Sequence, residues 1–412
     1  MSLPSRYLLL TRPRIADNGA PWQPSPYWEE ILRVVNIKPE LLTNRNVPSL
    51  GSAASINEIF ENIADANEDK NSPIWNSVQE RYPQLWQKIN LAQRIILARN
   101  QNWNNSDLNF NGALMHLSQE ITKRYPEDHI WSASRLENYQ TCPFNFFVNN
   151  LMGLEKPEPP SEGLDARQLG NIYHHILEDL YRTVEVKYTI QNLLDSLPQV
   201  AEKVFKEAPL REGFRETAWW KHTQEEILIK IKQSIIVLES LDPSFKFDRA
   251  EQRFGLGRDS NPQLVMNIKG QGSYQLRGFI DRVDHDQHGN LRIIDYKTSG
   301  AFGFDNQAVR EGKKLQLPLY ALAAQEALDL GTVKEGFYFH VRSAQPSSFK
   351  MSSFWNEGKK GVEVAMESAK MNGWLAVRSI QGGKFSPKPP KNGCPSYCPA
   401  VDFCWQYRPK RW

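Results

Sequence analysis

A chain of 412 residues has room for two or three domains and a large buried core. With 40% hydrophobic and 24% charged residues, it has the composition of a soluble globular protein and not of a disordered or fibrous one. Fifty basic against 47 acidic residues give a net charge of +3, and four cysteines are too few for a disulfide scaffold.

Residues 1–130 read as a mostly helical region. Apolar residues recur at three- and four-residue spacing over 27–35, 56–64 and 75–99, and an asparagine-rich, turn-like stretch follows at 100–111. From residue 131 the pattern changes. A capped helix is expected over 132–139, followed by Cys142-Pro143-Phe144 and then a Pro/Glu/Gly linker over 156–163. An amphipathic helix follows at 169–181, then a long helical stretch over 190–240. Two strands, 275–284 and 291–298, are joined by turn residues 285–290. A helix over 315–328 and a strand over 336–341 come after them. This order predicts an α/β domain with a mixed sheet flanked by helices. The last thirty residues, 383–412, carry six basic side chains and one acid, a basic tail where the cysteines cluster.

Apolar runs such as 7–10, 95–98 and 235–238 fall far short of the ~20 residues a membrane span requires. They are also too short for the core of a secretory signal, so the expected compartment is the cytoplasm and no membrane partner is expected. No Gly-x4-Gly-Lys-Ser/Thr stretch occurs, which argues against a nucleotide-driven motor in this segment.

The chemistry concentrates on the two strands. On the second, Leu291, Ile293, Asp295 and Lys297 share a face, so an apolar row ends in a carboxylate and an ammonium. On the first, Phe279, Asp281 and Val283 are expected to share a face in the same way. Two partly buried aspartates this close repel unless a cation sits between them, and hard oxygen donors suit Mg²⁺ or Mn²⁺. The plainer alternative is an ion pair of Asp295 with Lys297 or Arg282. Gly170, His174 and Glu178 lie on one helical stripe, where His174 could offer an imidazole to a metal with Glu178 behind it. Gln316 and Tyr320 stand one helical turn apart and could orient substrate or water. Cys394, Cys398 and Cys404 fall in one Pro/Gly-flanked segment, and with Cys142 they make four thiolates. Zinc and iron–sulfur both accept such a set, and spacing does not separate them.

In series, Gly170…His174, Glu251, Gly278-x2-Asp281-Arg-x-Asp284, Asp295-Tyr296-Lys297-Thr298 and Gln316-x3-Tyr320 resemble the PD-(D/E)XK nuclease superfamily, in its RecB/AddB-like branch. The resemblance covers residues 131–412 and implies a restriction-endonuclease-like mixed sheet flanked by helices. It also implies hydrolysis of DNA phosphodiesters by an exonuclease that processes ends in recombination or repair. His174, Asp281 and Asp295, with the backbone carbonyl of Tyr296, then correspond to metal ligands for Mg²⁺ or Mn²⁺. Lys297 corresponds to the catalytic lysine, and Gln316 and Tyr320 to the accessory motif. Ile280 stands where the superfamily's name has proline. The same branch joins one cysteine before the nuclease core to three after it with a [4Fe–4S] cluster, which points to Cys142, Cys394, Cys398 and Cys404. The Cys394–Cys398 interval is one residue longer than usual. The segment from Tyr7 to Glu30 is similar to the last strand and helix of a helicase-like domain, which implies a helicase or helicase–nuclease partner. A stand-alone nuclease of the CRISPR-adaptation type, and an inactive DNA-binding scaffold, are the alternatives. Lys313, Lys314, Lys359, Lys360, Arg408, Lys410 and Arg411 are candidate phosphate contacts, and Trp219, Trp220 and Trp405 candidate stacking partners for unpaired bases.

Overall fold

The computed structural model describes residues 10–14, 21–36, 38–40, 79–100, 111–156, 163–183, 188–256, 261–300 and 303–409, with 55, 58 and 76 as isolated positions. The chain divides into two units, residues 1–113 with 389–412 and residues 114–388. The expected helix over 56–64, residue 58 apart, and the stretch 101–110 lie outside the described residues.

In the first unit, α1 (Pro26–Val35) starts where the Ser25 side chain accepts the Trp28 N–H and stops at Asn36, whose left-handed backbone ends the hydrogen-bond ladder. A second helix, α2, spans Pro83–Asn100. The C-terminal segment of this unit is turned back on itself. The Cys394 N–H donates to the Arg408 carbonyl at 2.6 Å, and the Cys404 N–H donates to that of Ala400 at 2.8 Å.

The second unit opens with α3 (Ser118–Arg124), β1 (Ile130–Ser132) and α4 (Ala133–Thr141), the last capped by Ser132 as its sequence predicts. A short helix α5 (Pro143–Phe146) follows at once, with proline at its first position, where no N–H is needed. Helix α6 (Ala166–Thr183) buries Ile172, Tyr173, Ile176, Leu177, Leu180 and Tyr181, a stripe at three- and four-residue spacing. The single helical stretch expected over 190–240 is two helices, α7 (Ile190–Glu212) and α8 (Ala218–Ser240). Gly213, left-handed at φ 73°, closes the first.

The sheet strands are β2 (Lys246–Phe254), β3 (Leu264–Ile268), β4 (Gly272–His285) and β5 (Asn290–Lys297). After the short helix α9 (Asn306–Arg310) and helix α10 (Gln316–Leu322) come β6 (Thr332–His340), β7 (Gln345–Lys350) and helix α11 (Val362–Gln381). Among the described residues they build one seven-stranded mixed sheet in the order β1-β4-β5-β6-β7, with β2 and β3 also paired to β4. The 14-residue β4 is its hub. Its first half lies between β1, parallel, and β3, antiparallel, and its second half between β2 and β5, both antiparallel. β5 then pairs in parallel with β6.

Alternation along these strands feeds two cores. Leu291, Ile293 and Tyr338 pack into one with residues of α4, α10 and α11. Ile294, Tyr296, Phe337 and Phe339 pack into the other with residues of α6, α7 and α8. The result is a helix–sheet–helix sandwich, the mixed α/β architecture expected. Sequence patterning missed β2, whose Lys246-to-Phe254 run is mostly charged, and also β3, β7 and α11.

Candidate active site

The site forms where β4 and β5 part. Their ladder runs from His285–Leu291 to Arg282–Ile294 and ends there, while β5 continues beside β6 to Lys297. The parting frees the Tyr296 N–H from any strand partner on the β4 side. The Asp281 carboxylate replaces the missing ladder acceptor, taking that N–H at 2.6 Å. A carboxylate is thus buried at the fork with one oxygen fixed by the backbone.

The other Asp281 oxygen faces His174 of α6, with Nδ1 at 3.6 Å, and Glu251 of β2 presents an oxygen 3.7 Å from the same nitrogen. Donor atoms of His174, Glu251 and Asp281 all lie within 4.8 Å of one another. Glu251 reaches this position from a left-handed backbone, φ 47°, a conformation that costs a non-glycine residue on the order of 1 kcal/mol or more and concentrates at functional positions. Gly170 lets α6 approach the end of β5, since a Cβ there would stand 3.1 Å from the Thr298 hydroxyl.

On β5, Lys297 Nζ lies 2.5 Å from Asp295 and donates to Gln316 Oε1 at 2.9 Å. Gln316 Nε2 in turn donates to the Tyr320 hydroxyl at 3.3 Å. The start of α10, which carries both residues, is held by Glu137 of α4, whose carboxylate accepts the N–H groups of Leu315 and Gln316 at 2.5 and 2.9 Å. Tyr320 closes over Gly278, where a Cβ would come within 2.8 Å of its ring.

Charge and burial pull against each other here. Burial pushes the Asp295 carboxyl up to about 6, with neighbouring Asp281 adding to the rise and Lys297 only partly offsetting it. Burial opposes the charge on His174, but Asp281 and Glu251 outweigh it and raise the imidazole to about 10. Burial also raises Glu251. Asp281 is held low despite its burial by His174, Lys297 and the Tyr296 N–H. Lys297 is raised, because Asp295 and Asp281 outweigh its desolvation. Two carboxylates facing one imidazole, Asp281 buried and Glu251 half-buried, favour a cation, and this donor set of hard oxygens and one nitrogen fits a divalent metal; Asp295 stands outside the trio, beside Lys297.

The structure therefore brings His174, Asp281, Asp295, Tyr296, Lys297, Gln316 and Tyr320 together. Glu251, named in the sequence series but not assigned as a ligand, belongs with them. Its strand was invisible to hydrophobic periodicity, and only its place in the motif order marked it. Glu137 was missed because its role is to hold a helix end distant in sequence. Two expectations need correction. Glu178 stands 2.6 Å from Arg182 and 3.5 Å from His175, so it serves them and not His174. Phe279, Asp281 and Val283 do not share a buried face. Phe279 is exposed, and Ile280 and Val283, three residues apart, enter the same core, so alternation breaks at the fork.

The residues after Asp281 do different work. Arg282 is buried, its Nε 2.6 Å from Asp284 and its Nη2 3.0 Å from Glu239, with its guanidinium 4.6 Å from the centre of the Tyr181 ring. Arg292 closes the other side of Asp284 at 2.6 Å, and the hydroxyls of Tyr181 and Tyr188 both donate to Glu239. This network ties α6 and α8 to the two strands next to the fork.

Among the cysteines, Cys142 is half-buried at the end of α4 in the second unit. In the first unit Cys394 and Cys398 are buried and Cys404 is half-buried. Among the described residues no helix is long and apolar enough to cross a membrane.

The family model for the PD-(D/E)XK nuclease superfamily matches residues 130–405. An ATP-dependent helicase/deoxyribonuclease subunit from Staphylococcus carnosus is 29% identical over 300 residues, 68% of this chain and 25% of that protein. The protein of the same name from Clostridium novyi is 26% identical over 299 residues, 68% of this chain and 24% of its own length. That from Bacillus pumilus is 29% identical over 255 residues, 57% and 21% of the two chains. The matched stretch spans about a quarter of the length of these curated relatives.

Proposed function

The chain belongs to the PD-(D/E)XK nuclease superfamily, and from that membership we propose that it is a divalent-metal-dependent deoxyribonuclease acting in DNA end processing, recombination or repair. The observation that carries the proposal is the fork. His174, Glu251 and Asp281 bring their donor atoms within 4.8 Å of one another, and Asp295 and Lys297 stand on the adjoining strand end. His174, Glu251, Asp281 and Asp295, with the Tyr296 carbonyl, would hold Mg²⁺ or Mn²⁺. When bound, such an ion polarises the scissile phosphate and lowers the pKa of a coordinated water.

The chain's own groups supply the rest. Lys297 is a fixed positive charge, already anchored by Gln316, beside the position where charge develops on the phosphorane. Asp295 holds that ammonium at the strand end, and Tyr320 fixes the far side of Gln316. Water attacks directly and no covalent enzyme intermediate forms. The relatives' printed name supports a helicase partner and DNA as substrate. We further propose exonucleolytic action, a cytoplasmic location, and a [4Fe–4S] cluster on Cys142, Cys394, Cys398 and Cys404.

The test is cleavage of end-labelled DNA by the pure full chain, with EDTA and Mn²⁺ controls and Asp295→Ala in parallel. Cleavage should need the metal and fall by about 10²-fold or more in the variant. Undiminished, metal-independent cleavage would overturn the proposal.

A further inference from the structure

Along the first half of β4, buried and open positions alternate. Tyr274, Leu276, Gly278 and Ile280 are buried, while Ser273, Arg277 and Phe279 are exposed and Gln275 is half-buried. The open row continues across the neighbouring strands. On β3, Val265 and Asn267 stand directly opposite Gln275 and Ser273 and are themselves exposed. On β2, Arg253 stands directly opposite Phe279. This part of the sheet therefore has one face in the core and one uncovered face without an acidic side chain at these positions. It ends at the fork: Asp281 is two residues beyond Phe279, about 7 Å along the strand, and Glu251 is two residues from Arg253.

Phe279 is 42% exposed, with the Arg253 guanidinium 5.6 Å from the centre of its ring. An aromatic ring left open beneath a guanidinium, one step from a metal-fitting carboxylate cluster, has the chemistry of a stacking platform. Arg253 and Arg277 supply the positive charge that flanking phosphates require.

We propose that this uncovered face is a binding track for an unpaired DNA strand, and that Phe279 stacks on the base beside the scissile phosphate with Arg253 and Arg277 on the flanking phosphates. The proposal deepens the nuclease assignment above and rests on it. An unpaired strand is the occupant because a base inside a duplex has both faces covered by its neighbours and offers none to Phe279.

The experiment uses the full chain, Mn²⁺ and end-labelled single-stranded oligonucleotides in which one abasic position is walked along the strand. Wild type should show one position, next to the cleaved bond, where the missing base raises KM about tenfold. Phe279→Ala should raise KM on intact DNA by a similar factor and become insensitive to that abasic position. Phe279→Trp should restore both, with Mn²⁺ affinity the same in all three proteins. Arg253→Gln should raise KM and flatten its salt dependence. An unchanged KM in Phe279→Ala, or an abasic penalty that persists in full in that variant, overturns the track. Cleavage by Asp295→Ala at the wild-type rate would instead overturn the nuclease assignment, so the two failures are separable.

Discussion

At the scale of single residues, the fork is a contest between desolvation and mutual charge. Asp295 is pushed up to about 6 and His174 up to about 10, so at neutral pH without metal the imidazole keeps its proton while most of the Asp295 carboxyl has given its own up. Both shifts are upward, and their stabilising contributions to the metal-free protein therefore decay as pH rises. That of Asp295 fades between 3.8 and about 6, and that of His174 between 6.5 and about 10. Metal binding needs both groups deprotonated, so Mn²⁺ affinity should rise from pH 5 to pH 9 with proton release. Calorimetric titration in two buffers of different ionisation enthalpy measures this, and a pH-independent affinity would contradict it. Gln316→Ala should release Lys297 and reduce turnover while sparing Mn²⁺ affinity, because Gln316 touches the lysine and no ligand atom. Weakened Mn²⁺ binding in that variant would count against it. The ligand set was legible in the sequence only as far as the motif order carried it. Asp281, Asp295, Lys297, Gln316 and Tyr320 could be named, whereas the partner of His174 depended on which face of α6 meets β2. The i+4 rule selected Glu178, but tertiary packing placed Glu251 there instead.

At the scale of elements, what positions the site is the buried network beside it. Glu239 of α8 accepts from Arg282, Tyr181 and Tyr188 together, and the Arg282 side chain is 2% exposed. Glu239→Ala leaves a buried guanidinium short of a partner and two hydroxyls without an acceptor, and should cost about 3 kcal/mol in chemical unfolding. A loss below about 1 kcal/mol would show that water repairs the gap. Elements with an amphipathic stripe or a cap announced themselves: α6, α4 with Ser132, and the strands on either side of the 286–289 turn. β2 did not, because charged and polar residues separate its few apolar contacts, Phe247, Ala250 and Phe254, which follow no period of two. The break between α7 and α8 rests on one glycine whose left-handed conformation a helical periodicity count does not detect. The exchange of faces at Asp281 was equally hidden, since strict alternation is the rule that reading a strand from sequence must assume.

At the scale of the whole molecule, a net charge of +3 concealed a buried acidic cluster and basic surfaces that cancel in the sum. The mixed sheet flanked by helices followed from the order of elements, while its hub, β4, emerged only when four strands were seen to pair with it. The cysteines remain the test of the chain's long-range organisation. Three lie within the last twenty residues and one near residue 140, so the cluster proposed on them would join parts of the chain that local interactions cannot. Anaerobically purified protein should show visible absorbance and bound iron, both lost in Cys398→Ser. Stoichiometric zinc without iron would contradict the iron–sulfur assignment but not four-thiolate ligation.

The central claim is that the fork between β4 and β5 holds a metal while Lys297 acts on the phosphate. It is tested most directly by measuring Mn²⁺ affinity and single-turnover cleavage of end-labelled DNA together, in wild type and Lys297→Ala. The account predicts that the variant still binds Mn²⁺, while cleavage at saturating metal falls by about 10²–10³-fold. Cleavage by Lys297→Ala at the wild-type rate would contradict it.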